Sequence, residues 1–305
     1  MGGRWTWRAL AAPGVVWLAI FFLVAFYAVI AVAFGNENNL SQPVPFWNPL
    51  GWNVGYVLEV LRNIVHGGQF LTVFLRTIAF VVIAMAISLA VGYPVAYFTA
   101  RHAGRWKMLV LVALILPFWI NYLMRMLAWI NMLSADGWAT RFFHTVGIEQ
   151  LFIRLGLLST NGGWLEGQQA TVVLALVYGY VPYLILPLYA ALDRIDQRQI
   201  EAARDLGASP LSGFLRLTLP LSMPGILAGV VLTALPMFGD YYTPDLVSGS
   251  AKTNMIGNQI DQLTRQGAEK VTGAVLTIVL SLLLLVLMVY YLRVTRRAGA
   301  ETADA

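Results

Sequence analysis

The 305-residue chain contains no cysteine, which excludes disulfides, thiolate metal sites and thiol redox chemistry of its own. It has three lysines, Lys107, Lys252 and Lys270, and none follows a glycine. A phosphate-binding loop of the GxxxxGK[ST] type is therefore absent, and any ATP hydrolysis has to come from a partner. The histidines His66, His102 and His144 are far apart, without metal-ligand spacing or a helix-borne HExxH. No nucleophile constellation stands out either, so the reading is a non-enzyme without metal or cofactor. Charge is scarce as well, at 11% of residues.

What fills the chain is apolar. Hydrophobic residues make up 59% and mean hydropathy is +0.70, far from the balance of a soluble domain. A spanning helix needs about 20 apolar residues, and six such stretches occur, roughly 14–34, 71–98, 108–133, 170–191, 223–244 and 271–292. Short alternating segments are missing, which argues against a β-barrel. The first stretch follows Arg4 and Arg8 like a signal peptide, but its length favours a retained helix.

Charge orients the bundle. With the N-terminus in the cytoplasm, twelve of the twenty basic residues but six of the fifteen acids fall on the inner side. The positive-inside rule then places both termini in the cytoplasm. On this topology Ser212 and Ala300 are inside, and Asn38, Thr160 and Lys252 are outside. The long outer loops 35–70 and 134–169 are punctuated by aromatics such as Trp47, Trp52, Phe143 and Trp164. They read either as a docking surface or as an aromatic belt at the interface.

One inner segment is polar. Asp196 suits an N-cap, Ile200, Ala203 and Gly207 share a face, and Gly207 suits a left-handed C′ position. Ser209-Pro210 signals a second start, with Leu211, Phe214, Leu215 and Thr218 at helical spacing until Pro220. The expectation is a helix, a turn and a second helix that ends at Pro220. Mixed charge at a membrane surface argues against a DNA-reading hairpin.

The run Glu201-Ala202-Ala203, Gly207 four residues on, and after nine more residues Leu217-Thr218-Leu219-Pro220, resembles the signature of ATP-binding-cassette importer permeases, with Leu217 in place of the usual Ile. The resemblance implies an all-α, six-helix type I permease fold. It also implies that Glu201, Ala202, Ala203, Gly207, Leu219 and Pro220 form a coupling helix seated in a cytoplasmic ATPase. Leu116-Pro117-Phe118-Trp119 through Arg125, Ala128 and Trp129, with Gly239-Asp240-Tyr241-Tyr242-Thr243-Pro244-Asp245 and Met255-Ile256-Gly257-Asn258, is similar to the spermidine/putrescine permeases, in particular the first of their two membrane subunits. That similarity implies a pathway for polyamines or related small solutes. It implies as partners an ATPase dimer, a second homologous permease and an extracytoplasmic substrate-binding protein, in a bacterial inner membrane. Relatives for opines and amino-acid derivatives share these motifs and remain the alternative solutes.

The organisation expected is a first helix and outer loop over 1–70, a core permease over 71–292 with the hairpin at 196–220, and a tail at 293–305. Trp119, Asp240, Tyr241, Tyr242 and Asp245 are the candidate pathway residues, an acid beside aromatic faces being suited to an ammonium group. Two blander readings stand beside this one: both aspartates cap the end of the fifth helix, and Arg125 snorkels to the outer interface. The rival class is a secondary transporter or channel. It is disfavoured by the hairpin, the few helices and the lack of acid–base residues deep in the core.

Overall fold

A computed structural model describes residues 3–37, 43–66, 68–154, 158, 163–265 and 269–301. Asn38 and Thr160 lie outside the described residues. In chain order the helices are α1 (Gly3–Ala33), α2 (Val54–Val65), α3 (Gln69–Arg101), α4 (Lys107–Ile115), α5 (Tyr122–Leu133), α6 (Trp138–Val146) and α7 (Ile148–Arg154). They continue with α8 (Gln169–Arg194), α9 (Gln197–Asp205), α10 (Pro210–Gly213), α11 (Leu219–Phe238), α12 (Tyr242–Val247), α13 (Ile256–Arg265) and α14 (Lys270–Glu301). Two-residue strands β1 (Asn36–Glu37) and β2 (Pro43–Val44) pair antiparallel after α1.

Five helices among the described residues are long and apolar enough to cross a membrane: Ala9–Ala33, Gln69–Arg101, Gln169–Arg194, Pro210–Phe238 and Lys270–Arg293. The third expected span is not one straight helix. Gly104–Trp119 and Tyr122–Leu133 meet at 91°, and they make a sixth span when counted together. The bend has a local cause. Pro117 lacks an N–H, Ile120 is extended, and Asn121 restarts the chain by accepting a hydrogen bond from Leu123 N–H at 2.9 Å. The fifth span differs too: its helix stops at Phe238, and the residues expected to prolong it form the separate α12.

Contacts divide the chain into two units. The first comprises Met1–Thr72 and Gln259–Leu283. There Ala31 carbonyl accepts from Phe46 N–H at 2.9 Å, and Tyr56 hydroxyl meets Thr272 hydroxyl at 2.8 Å. The segment 9–33 is barely covered by its own chain, with Trp17, Phe21 and Phe22 exposed. Such all-round apolarity belongs in lipid or against other membrane helices.

The second unit comprises Val73–Asn258 and Leu284–Ala305. Its centre is the pairing of α8 with α11, for which the sequence supplies small residues. A Cβ on Gly225 would stand 2.3 Å from Ala191 Cβ and 2.9 Å from Pro187 carbonyl, and one on Gly229 would stand 2.8 Å from Leu184 Cδ1. Close backbone approach thus takes the place of side-chain interdigitation, as expected where lipid gives helices no hydrophobic reason to associate. Prolines 94, 182, 187, 224 and 236 all lie within helices, which continue through them.

Candidate functional site

The hairpin at 196–220 forms as its residues dictate. Asp196 carboxylate accepts from Arg198 N–H at 3.0 Å and starts α9. At the other end Gly207 has φ +84°, Gly207 N–H reaches Arg204 carbonyl at 2.8 Å, and Ala208 N–H reaches Ala203 carbonyl at 3.0 Å. These two bonds close a Schellman motif, which needs a left-handed residue at C′. Ser209 hydroxyl then accepts from Ser212 N–H at 3.2 Å, with Pro210 at the first helical position.

The second arm does not end at Pro220. From Pro210 to Phe238 the chain is one continuous helix, carried past Pro220 by a π-helical stretch over Phe214–Thr218. Leu219 N–H bonds Phe214 carbonyl across the widened turn. Widening relieves the clash that a proline ring makes with the carbonyl four residues before it. A sequence reading that treats proline as a stop cannot see this escape. The hairpin's second arm and the fifth span thus form one uninterrupted rod.

That rod is gripped at its root. Phe214 lies edge-on to Tyr93 and Tyr97 of α3 at 5.7 and 6.1 Å, and Tyr93 hydroxyl meets Ser222 hydroxyl at 2.9 Å. Arg101 donates to Ile195 carbonyl at 2.9 Å and to Gln197 at 3.3 Å, tying the end of α3 to the start of α9. Lys107 pairs with Asp193 at 3.3 Å in a half-exposed ion pair. The outer surface of α9 and its turn is free: Glu201, Ala202, Arg204 and Asp205 are exposed, and Ala203 is half-buried. Leu206 is 90% exposed, an apolar knob that sequence reasoning missed beside its glycine. Leu219 is half-buried and Pro220 exposed on the rod itself.

The candidate pathway residues assemble differently from expectation. Asp240 is buried at 5% exposure and accepts from four donors. Tyr122 and Tyr180 hydroxyls each stand 3.1 Å from Oδ2, Thr243 N–H lies 3.0 Å from Oδ1, and Thr243 hydroxyl also donates to Oδ2. Tyr122 and Thr243 hydroxyls touch each other as well. The carboxylate therefore heads the following helix, α12, and pins it to α5 and α8. It does not cap the end of the fifth helix, as the blander reading had it. Its tyrosine partners lie 118 and 60 residues away, which no spacing in the sequence signals.

Tyr241 and Tyr242 are half-buried, with ring centroids 3.8 Å apart. Asp245 is exposed on α12 and Trp119 is 82% exposed at the break of the third span. The motif runs Gly239–Asp245 and Met255–Asn258 do meet. A Cβ on Gly257 would come within 2.7 Å of Gly239 carbonyl, so only glycine allows this contact. Asn258 side-chain carbonyl accepts from Met255 N–H, and Ile256 N–H donates to Thr77 hydroxyl at 2.8 Å, fixing the loop on α3. Arg125 does not snorkel: it is 6% exposed, with its guanidinium 4.1 Å from the Phe118 ring centroid.

Asp240→Asn tests this anchor. An amide keeps the shape but replaces one acceptor oxygen by a donor, so at least one of the four buried donors loses its partner. The expected cost is about 1–3 kcal/mol, read as a lower midpoint of thermal unfolding. A midpoint equal to wild type would remove the anchoring role.

Comparison with known proteins follows the same lines. The family model described as binding-protein-dependent transport system inner membrane component matches residues 4–299. The chain is 34% identical over 280 residues to the spermidine/putrescine transport system permease protein PotB of Escherichia coli (strain K12), covering 92% of this chain and 94% of that protein. It is 32% identical over 233 residues to the inner membrane ABC transporter permease protein YdcU of the same organism, covering 76% and 72%. Among solved structures, the bacterial alginate ABC transporter in complex with alginate pentasaccharide-bound periplasmic protein shares the fold with a TM-score of 0.66 at 18% identity, over 96% of this chain and 95% of that one.

Proposed function

This chain belongs to the family of binding-protein-dependent transport system inner membrane components, and from that premise we propose that it forms one half of an alternating-access pathway in an ATP-driven importer of polyamines or related small solutes. Its partners in this reading are a second homologous permease, an ATPase dimer and an extracytoplasmic binding protein. The polyamine class rests on the relatives named for spermidine and putrescine. The observation that carries the mechanism is the hairpin: a rigidly capped helix and turn with an exposed small-residue face, joined without a break to a spanning helix.

In that mechanism Glu201, Ala202, Ala203 and Gly207 present a surface with little side-chain bulk, so an ATPase cleft approaches the backbone closely, while Leu206 fills its floor. Leu219 and Pro220 lie on the rod that carries the displacement outward. Because α11 packs backbone to backbone on α8, movement at the hairpin shifts both helices. Asp240 holds α12 across α5 and α8, and Trp119, Tyr241, Tyr242 and Asp245 line the outer approach.

Gentle extraction should recover an ATPase subunit with this chain, and proteoliposomes of the complete complex should take up 1,4-diaminobutane only with ATP inside and binding protein outside. ATP-independent uptake by the isolated chain would favour a secondary transporter. Orientation is checked by single-cysteine labelling on the cysteine-free background. Ser212→Cys should react only with permeant maleimides, and Lys252→Cys with impermeant ones. Labelling of both from one side would redraw the topology.

A further inference from the structure

Two charged side chains among the described residues are nine-tenths buried, Asp240 and Arg125. Asp240 has a full set of donors, whereas the Nε and Nη1 of Arg125 are buried without a hydrogen-bond partner among the described residues. A guanidinium cannot shed its proton to escape this situation, and buried polar groups are ordinarily satisfied. Its flat face is covered, 4.1 Å from the centroid of Phe118 and 5.3 Å from that of Tyr122. Aromatic faces answer the charge but not the N–H bonds, which lie in the guanidinium plane and point outward from its edge.

One turn further on α5, Trp129 repeats the pattern. Its ring stacks on Tyr178 at 5.2 Å with planes 7° apart, and its Nε1 is buried without an acceptor. Residues four apart share a helix face. So one face of α5 carries three N–H donors, one pair of them cationic, with nothing to receive them.

Phe118 sits at the break of the third span, where helical pairing is interrupted, and irregular backbone at membrane depth is tolerated where it is buried in protein or lines a cavity. Tyr122 joins the two charges: its hydroxyl donates to Asp240 and its ring lies beside Arg125. One tyrosine thus separates an anionic from a cationic centre.

We propose that Arg125 and Trp129 form a subsite for a carboxylate carried by the solute, so that this importer handles small amines bearing a carboxylate and not polycations alone. A planar two-oxygen acceptor matches the edge of a guanidinium and draws charge-assisted hydrogen bonds. The inference rests on the import reading and narrows its solute class.

The test uses the complete complex in nanodiscs without binding protein, so that selectivity at the permease is read alone. The probes are 4-aminobutanoate, 1,4-diaminobutane and dioctanoyl phosphatidate. Arg125→Gln should weaken 4-aminobutanoate at least about tenfold, the worth of a hydrogen bond to a charged group, and leave 1,4-diaminobutane within about twofold, since it makes none there. Trp129→Phe keeps the ring stack and removes one donor to the same carboxylate, and should weaken the same ligand about tenfold, as loss of one hydrogen bond to a charged group does. No binding of 4-aminobutanoate to wild type, equal losses for both amines, or Arg125-dependent binding of phosphatidate alone would each overturn the subsite. Should Arg125→Gln fail to fold, a wild-type affinity in Trp129→Phe overturns it. ATP-driven uptake of 1,4-diaminobutane by the complex in proteoliposomes, with binding protein outside, separates the two readings: its absence refutes import, whereas absence of 4-aminobutanoate binding alone refutes the subsite.

Discussion

A Gly207→Val variant is expected to insert and accumulate like wild type and to lose ATP-driven uptake by at least about tenfold. The loss has two sources. Gly207 holds φ +84°, where a β-carbon meets the following carbonyl at a cost of about 1–2 kcal/mol. The turn then opens its two closing bonds, from Gly207 and Ala208 to Arg204 and Ala203, and the hairpin loses its fixed shape. Within the chain itself a Cβ at this position would meet nothing within 4 Å, so damage to the chain's own packing is not expected. The remaining source is bulk against the ATPase. Gly207→Asn separates them, because asparagine tolerates the left-handed region while adding volume. Failure of both variants points to the cleft, and failure of valine alone to the turn. Wild-type uptake by Gly207→Val at equal expression would end the coupling role.

Gly225→Leu should act at the opposite level, on the fold. A Cβ there already falls 2.3 Å from Ala191 Cβ and 2.9 Å from Pro187 carbonyl, and backbone cannot move aside as a side chain tip can. Overpacking of this kind costs about 1–3 kcal/mol or more, and it strikes the principal helix pair of the second unit. The expected outcome is reduced accumulation, a lower unfolding midpoint and loss of the ATPase subunit on purification. Gly225→Ala should show a smaller shift in the same direction. A leucine variant with wild-type stability would mean that α8 and α11 do not meet as closely as described.

Much of the architecture was legible because its causes are local. Apolar runs fix where helices can cross, since unpaired backbone groups are intolerable in lipid. Asp196, Gly207, Ser209 and Pro210 each carry a conformational preference strong enough to write the hairpin directly. Where the reading failed, a local rule met a competing local solution. Pro220 was read as a helix stop, yet a π turn five residues long absorbs it. Pro117 falls inside the third expected span of 108–133, yet with Asn121 as a new cap the chain makes a 91° break there.

The site around Asp240 was far less legible, and for a different reason. Asp240 beside Tyr241 and Tyr242 suggests a cation box by adjacency, but successive residues after a helix end point in different directions. The partners that the carboxylate finds, Tyr122 and Tyr180, come from two other helices. Arg125 likewise carries no mark in the sequence that tells burial from snorkelling. Only the placement of Phe118 and Tyr122 against it decides.

The sequence by itself determined that this chain is a helical membrane protein lacking a GxxxxGK[ST] loop, that its basic residues favour one orientation, and that residues 196–210 make a capped helix and turn. Composition, charge count and short-range backbone preference suffice for these, because each depends on a residue and its near neighbours. Tertiary structure alone decided that the hairpin's second arm is continuous with a spanning helix, that Asp240 is an anchor shared by α5, α8 and α12, and that Arg125 is a buried cation whose Nε and Nη1 have no partner among the described residues. Burial and hydrogen-bond satisfaction are properties of what surrounds a group, and those surroundings come from helices distant in the chain.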